Sequence, residues 1–104
     1  MSQSIIDLRA EAAALPQAWR SRMAARLGGA NLKLLRMDGQ PYPDETHDYD
    51  EGLLVIDGEL RLTVDGVPVQ VQAGELYVMP AGVPHAVAAG SHGVLLILDP
   101  ETAA

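Results

Sequence analysis

Few side chains in this sequence are equipped for chemistry. Of its 3 histidines, His47 lies in an acidic stretch that includes Asp44, Glu45, Asp48, Asp50 and Glu51. Glu45 and His47 are two apart, so on a strand both side chains leave the same face. His47 and Glu51 are four apart, a spacing that would also converge on a helix, but Pro41 and Pro43 before it and Gly52 after it argue against one. A bend over Asp48-Tyr49-Asp50 returns Glu51 toward the face that carries His47. His85 stands far along the chain in Met79-Pro80-Ala81-Gly82-Val83-Pro84-His85, where two prolines and a glycine aim it and leave little entropy to lose on binding. Imidazole beside carboxylate can hold a divalent cation or move a proton, although histidines taken singly mostly serve no metal. His92, between Ser91 and Gly93, reads as a surface turn residue, and Asp44, Asp48 and Asp50 read as a solvated acidic turn. Ser91-His92 is no hydrolase signal, because no nucleophile elbow surrounds it.

The rest of the sequence narrows the classes of function. The 7 Lys and Arg stand against 14 Asp and Glu in 104 residues, a formal charge of −7, and such a field repels phosphate backbones and anionic lipid. Neither a nucleic acid nor a membrane is an expected partner. The absence of cysteine removes disulfides, thiolate catalysis and thiolate metal ligation together. No apolar run approaches the roughly 20 residues that span a bilayer. The start Met1-Ser2-Gln3-Ser4-Ile5-Ile6-Asp7 lacks the basic and apolar regions of a signal peptide, so a cytoplasmic protein is expected.

The elements that must carry these residues are mostly strands. Asp7 to Leu15 reads as a short helix capped by Ser4 or Asp7 and ended by Pro16. Gln17 to Leu27 and Leu32 to Met37, joined by Gly28-Gly29-Ala30-Asn31, read as a hairpin. Leu53 to Ile56 is a short strand closed by Asp57-Gly58, a hairpin-type dipeptide. Leu60, Leu62 and Val64 alternate with polar residues up to the turn Asp65-Gly66. Val67, Val69 and Val71 alternate with Pro68, Gln70 and Gln72, the proline suggesting an edge or a bulge. Ala73-Gly74 turns into Glu75 to Met79, where either Tyr77 and Met79 or Leu76 and Val78 face inward, and Val94 to Leu98 is a last apolar strand. Many short strands with Gly and Pro turns indicate an all-β sandwich or barrel.

Two motifs in this order resemble those of the cupins, G-x5-H-x-H-x3-4-E-x6-G and G-x5-P-x-G-x2-H-x3-N. The first is matched at Gly39, His47, Glu51 and Gly58, and the second at Gly74, Pro80, Gly82 and His85. Fifteen residues lie between Gly58 and Gly74, a short spacing similar to that of small single-domain bacterial cupins. Glu45 stands where the pattern has its first histidine, and Ala89 where it has its asparagine. The resemblance implies a double-stranded β-helix (jelly-roll) barrel with a short N-terminal helix, one domain over 1–104. Its parts would be the N-terminal helix in 1–16, the N-terminal hairpin in 17–37 and the conserved barrel motifs in 39–99.

It further implies metal ligation by Glu45, His47, Glu51 and His85. Two imidazoles with carboxylates and no thiolate suit a divalent first-row metal: Fe, Mn, Ni, Co or Zn. Two carboxylates in an apolar barrel are costly to bury unless a cation is present. The expected function is that of a metal-dependent enzyme, a dioxygenase, isomerase or lyase, acting on a small organic acid or metabolite. Glu45 or Tyr49 would accept the proton. The alternative is a non-enzymatic module that binds or senses a small molecule without metal. A homodimer is expected, with the N-terminal hairpin packing across a two-fold axis to cover open sheet edges. Trp19, the sole tryptophan, is expected in the core or at that dimer contact, and the low aromatic content argues against a sugar site.

Overall fold

The computed structural model describes residues 4–103. Residues 1–3, at the start of the expected helical segment, and residue 104 lie outside the described residues. A single helix, α1 (Leu8–Ala13), opens the fold, its N-terminus capped by Asp7, whose side chain accepts from the Ala10 N–H at 3.1 Å. Eight strands follow: β1 (Arg22–Leu27), β2 (Ala30–Asp38), β3 (Tyr42–Glu45), β4 (Glu51–Val64), β5 (Val67–Gln72), β6 (Leu76–Met79), β7 (His85–Val87) and β8 (His92–Pro100). Gly28 and Gly29, both at positive φ, form the two-residue turn between β1 and β2, so β2 begins earlier than apolar content suggests.

β4 is the spine. Its first half pairs with β6 on one side and β8 on the other, and its second half pairs with β5 and β7. One layer is therefore β1-β2-β8-β4-β6 and the other β3-β7-β4-β5, all antiparallel, a jelly roll curled around one strand common to both layers. The fold class expected from the motifs is the one observed.

Asp57-Gly58 is not a hairpin turn. β4 runs through it, with one extra residue inserted between Val55 and Asp57 opposite the neighbouring pair Leu95 and Val94 of β8. This bulge resolves a parity problem. Leu53 and Val55 face the barrel from odd positions, and strict alternation would then turn Leu60 and Leu62 outward. The extra residue shifts the phase, so Leu53, Val55, Leu60 and Leu62 share one core with Leu35, Met37, Val71, Met79 and Leu95. Each such buried side chain contributes roughly 1.5–3 kcal/mol relative to exposure.

β2 and β8 are apolar on both faces because both are covered. Leu35 and Leu95 point into the barrel, whereas Leu34, Val94 and Leu96 pack outward against the fully buried Ala12 of α1. A six-residue helix is too short to persist alone, so this contact holds it. In β6, Tyr77 and Met79 turn inward and Leu76 and Val78 are exposed, which decides the pair that periodicity left open. Pro68 lies on β5, which pairs only with β4 and so forms an edge. His92 departs from the turn expected of it: it opens β8, opposite Asp38 and Glu59, and remains exposed.

Gly58 and Gly93 cross back to back at the bulge, both at positive φ. A methyl on Gly58 would collide with the His92 carbonyl, and one on Gly93 with the Asp57 carbonyl. At Gly66, in the β4–β5 turn, φ is also positive but nothing lies within 4 Å. Gly66→Ala should therefore cost only the backbone term, about 1 kcal/mol, whereas Gly58→Ala should cost about 3 kcal/mol or more in urea unfolding. Equal losses would show that the crossing relaxes freely.

Candidate metal centre

Three elements meet at one end of the barrel to assemble the acidic and imidazole groups. Glu45 ends β3 and His85 begins β7, and the two stand directly opposite in the antiparallel register. Glu51 begins β4, after the loop 46–50, whose bend falls at Asp48 and Tyr49. His47 projects from that loop. Its Nε2 lies 3.2 Å from Glu45 Oε2 and 3.9 Å from Glu51 Oε2. His85 Nε2 lies 3.6 Å from Glu51 Oε1 and 4.0 Å from Glu45 Oε2.

These separations fit a common cation. Ligand atoms each about 2.1 Å from one ion stand roughly 3.0 Å apart when adjacent and 4.2 Å apart when opposite. The donors of Glu45, His47 and His85 all lie within 4.8 Å of one another, and Glu51 approaches the two imidazoles through different oxygens. Three of the four residues singled out, Glu45, His47 and His85, are thus gathered as one possible ligand group, and Glu51 stands beside it.

The two loops that carry the histidines are tied together. The Gly82 N–H donates to the His47 carbonyl at 2.8 Å, and the Ala81 N–H donates to Asp50 Oδ1 at 2.9 Å. Asp50 is therefore more than a solvated turn residue, because it holds the proline-rich loop against the loop of His47. The Asp65 N–H fastens the same loop from the other side, donating to the Pro84 carbonyl at 2.8 Å. No spacing rule reveals these bonds, since their partners are about thirty residues apart or face only through the barrel.

The imidazoles are oriented from behind. His85 Nδ1 stands 3.0 Å from the Val83 carbonyl, which can only accept, so Nδ1 carries the proton and Nε2 is free to ligate. Tyr49 stacks on His47 at a ring separation of 4.9 Å, and its hydroxyl lies 3.3 Å from His47 Nδ1. Burial, followed by the Glu51 charge, pushes the Tyr49 phenol up, which keeps it protonated. Tyr49 sits with Thr46, Asp48 and Thr102 in an outer recess, not among the residues lining the barrel interior.

Behind the cluster lies a cavity of about 320 Å³ inside the barrel. Glu45, Glu51 and His85 form its polar end, and Leu35, Leu53, Leu60, Leu62, Leu95 and Ile97 form much of its wall. Trp19 and Tyr42, their rings 5.8 Å apart, line it as well, with Ser21 and Val87. Trp19, half-buried, packs against the core as expected and also forms part of the wall of this cavity. Its N–H donates to the Arg36 carbonyl at 2.9 Å while its indole N–H donates to Asp38 Oδ1 at 2.7 Å. Trp19 precedes β1, in a turn at φ 66, and is not on the strand expected over Gln17 to Leu27.

Burial of Glu51 raises its carboxyl above the usual 4.5, against the opposing pull of His47 and His85. A carboxyl raised on folding favours the native state while protonated, and that favour is lost as pH rises from the unfolded value through the folded one. Metal-free Glu51→Gln should therefore melt higher than the parent at pH 7–8, and the gain should vanish below about pH 4.5, the reference value. A gain that persisted at low pH would assign the effect to something other than the charge.

Comparison with known proteins places these features in context. Residues 36–100 match the Cupin domain family. A stretch of 60 residues is 40% identical to quercetin 2,3-dioxygenase of Bacillus subtilis (strain 168), covering 57% of this chain and 18% of that enzyme. The chain thus spans less than a fifth of the length of this curated relative. Among solved structures, a cupin-2 domain containing protein from Shewanella frigidimarina superposes with a TM-score of 0.84 at 29% identity, covering 92% of this chain and 94% of that one. A cupin 2 conserved barrel domain protein from Leptotrichia buccalis superposes with a TM-score of 0.67 at 28% identity, over 78% of this chain and 40% of that one.

Proposed function

The chain belongs to the Cupin domain family, and on that premise we propose that it holds a divalent first-row cation through Glu45, His47, Glu51 and His85 and uses it on a small molecule in the barrel. The observation that carries this reading is the convergence of donors from Glu45, His47 and His85 within 4.8 Å of one another, with Glu51 beside them, one oxygen 3.9 Å from His47 and the other 3.6 Å from His85. His47, His85 and Glu51 make a two-histidine, one-carboxylate face of the kind that leaves coordination positions open. A bound cation would supply Lewis acidity toward a substrate oxygen.

The chain's own residues divide the remaining work. Glu45, the more exposed carboxylate, has a side chain 42% accessible and reaches both the cluster and the cavity, so it accepts the substrate proton or completes the ligand set. Glu51 is fixed and buried, a ligand and not a proton carrier. Tyr49 acts through His47, presenting a hydroxyl that pairs with whichever tautomer leaves Nε2 to the metal. Leu53, Leu60 and Leu62 keep water from the inner end. An oxygenase stands first among the three expected reaction classes, supported by the partial likeness to a dioxygenase, with isomerase and lyase behind it.

A metal-free binding module is the second reading. It is favoured by the self-sufficiency of the cluster, since among the described residues no buried side-chain nitrogen or oxygen lacks a partner. As to assembly, β1 is a sheet edge that carries exposed Met23 and Leu27, and Leu76 and Val78 are exposed on the outer face. We assign these surfaces to contact with a second copy, and sedimentation should return twice the 11.0 kDa chain mass. Among the described residues no helix is long and apolar enough to cross a membrane.

Elemental analysis of protein purified without chelator tests the metal. His47→Ala and His85→Ala should each abolish occupancy, and His92→Ala should leave it unchanged, because His92 is bonded to the Gly90 carbonyl outside the cluster. Saturating Ni(II) or Mn(II) at 100 times Kd should stabilise metal-free protein by about 2.7 kcal/mol. No shift at saturating metal selects the metal-free module.

A further inference from the structure

We infer that the barrel takes an uncharged, largely apolar small molecule whose polar atoms are confined to one end, and not an organic acid or a phosphate ester. The inference rests on the cavity being the ligand site, as proposed above, and goes beyond it by fixing the ligand's charge. An anion drawn into an apolar cavity must exchange its water for cationic or N–H donors. None of the chain's 7 Lys and Arg residues lines this cavity. The ionisable groups that do are Glu45, Glu51, His85 and Tyr42.

The cations closest in the strand pattern are already committed. Lys33 lies on the same face of β2 as the wall residue Leu35, but its ammonium sits 2.8 Å from the buried Asp99 carboxylate. Arg36 donates to the Leu15 carbonyl, and Arg61 is held 2.6 Å from Glu59. A bound divalent cation would not reverse this balance, because its two charges are matched by the carboxylates of Glu45 and Glu51. Outside the cavity, Asp44, Asp48 and Asp50 add negative charge beside the cluster, within a chain of net charge −7. An anion therefore meets repulsion on approach and no cationic side chain on arrival.

The wall favours the opposite kind of guest. Leucine, isoleucine and valine side chains with Trp19 and Tyr42 offer a dry surface worth about 25 cal/mol for each Å² of apolar ligand area covered. Ionisable carboxylate and imidazole groups are confined to the end formed by Glu45, Glu51 and His85, and the other polar atoms of the lining are neutral ones, such as the hydroxyls of Ser21 and Tyr42. The cavity, about 320 Å³, lies at the small end of ordinary ligand pockets, which run from roughly 300 to 1,000 Å³.

Two probes of nearly the same shape and opposite charge state test this. Cyclohexanecarboxamide and cyclohexanecarboxylate would be titrated at pH 7.5 against metal-free and Ni(II)-loaded protein, with the fluorescence of Trp19, the sole tryptophan, reporting entry. The amide should bind at least about tenfold tighter than the carboxylate in both forms. In Val87→Lys, which places an ammonium in the half-buried wall, the preference should fall or reverse. Equal or tighter binding of the carboxylate by either form overturns the inference, as does failure of both probes to perturb Trp19. The metal-free arm stands whether or not the protein binds metal, so loss of the metal reading and loss of this one are separate results.

Discussion

Two carboxylates and two imidazoles crowded into the end of an apolar barrel set the terms for everything else in this molecule. Glu51 is the member that cannot move away: it is the first residue of the central strand, and its side chain is only 9% exposed. Desolvation works against its charge, and the imidazoles of His47 and His85 work in its favour. A barrel that concentrates charge in this way must either bind a cation there or satisfy each donor and acceptor internally. The hydrogen bond that His85 Nδ1 donates to the Val83 carbonyl and the contact of His47 Nδ1 with the Tyr49 hydroxyl serve both solutions, because they orient the rings without using the nitrogens that face the carboxylates.

Holding four groups at one point is a problem of strand geometry. The direct opposition of Glu45 and His85 across β3 and β7 brings the two motifs together through backbone bonds, so the pair does not depend on loop conformation. His47 lacks a strand of its own and is fixed by its loop's bonds to the Pro80–Pro84 segment. The central strand delivers Glu51 at one end and, past the bulge, the leucines of the inner wall. A single inserted residue thus lets one strand serve two layers with its apolar face always inward.

The charge of the cavity follows from the same architecture. Inward positions near the cluster are taken by carboxylates and imidazole, and inward positions farther in are aliphatic. None of the basic residues lines the chamber, and on its side of the sheet Lys33 is neutralised by Asp99 and Arg26 is bonded to Asn31. The result is a dry chamber with one polar, anionic end, and its selectivity is set by what it does not offer to an anion.

Much of this was legible in the residues. The alternation of Leu60, Leu62 and Val64 and the Asp65-Gly66 turn define antiparallel strands, because side-chain direction along a strand has a fixed period and tight turns demand particular residues, while the candidate site came from the resemblance of the two motifs between Gly39 and His85 to those of the cupins. Other features depended on partners that no local pattern names. Asp57-Gly58 has the chemistry of a turn, yet it is a bulge because Gly93 crosses behind it on β8. Tyr77 and Met79 face inward only because β6 docks beside the start of β4. Trp19 reaches the cavity, Asp50 holds a distant loop, and Tyr49 falls behind His47 and outside the chamber. Local sequence fixes which way a side chain leaves its own backbone, but only the packed barrel decides what it then meets.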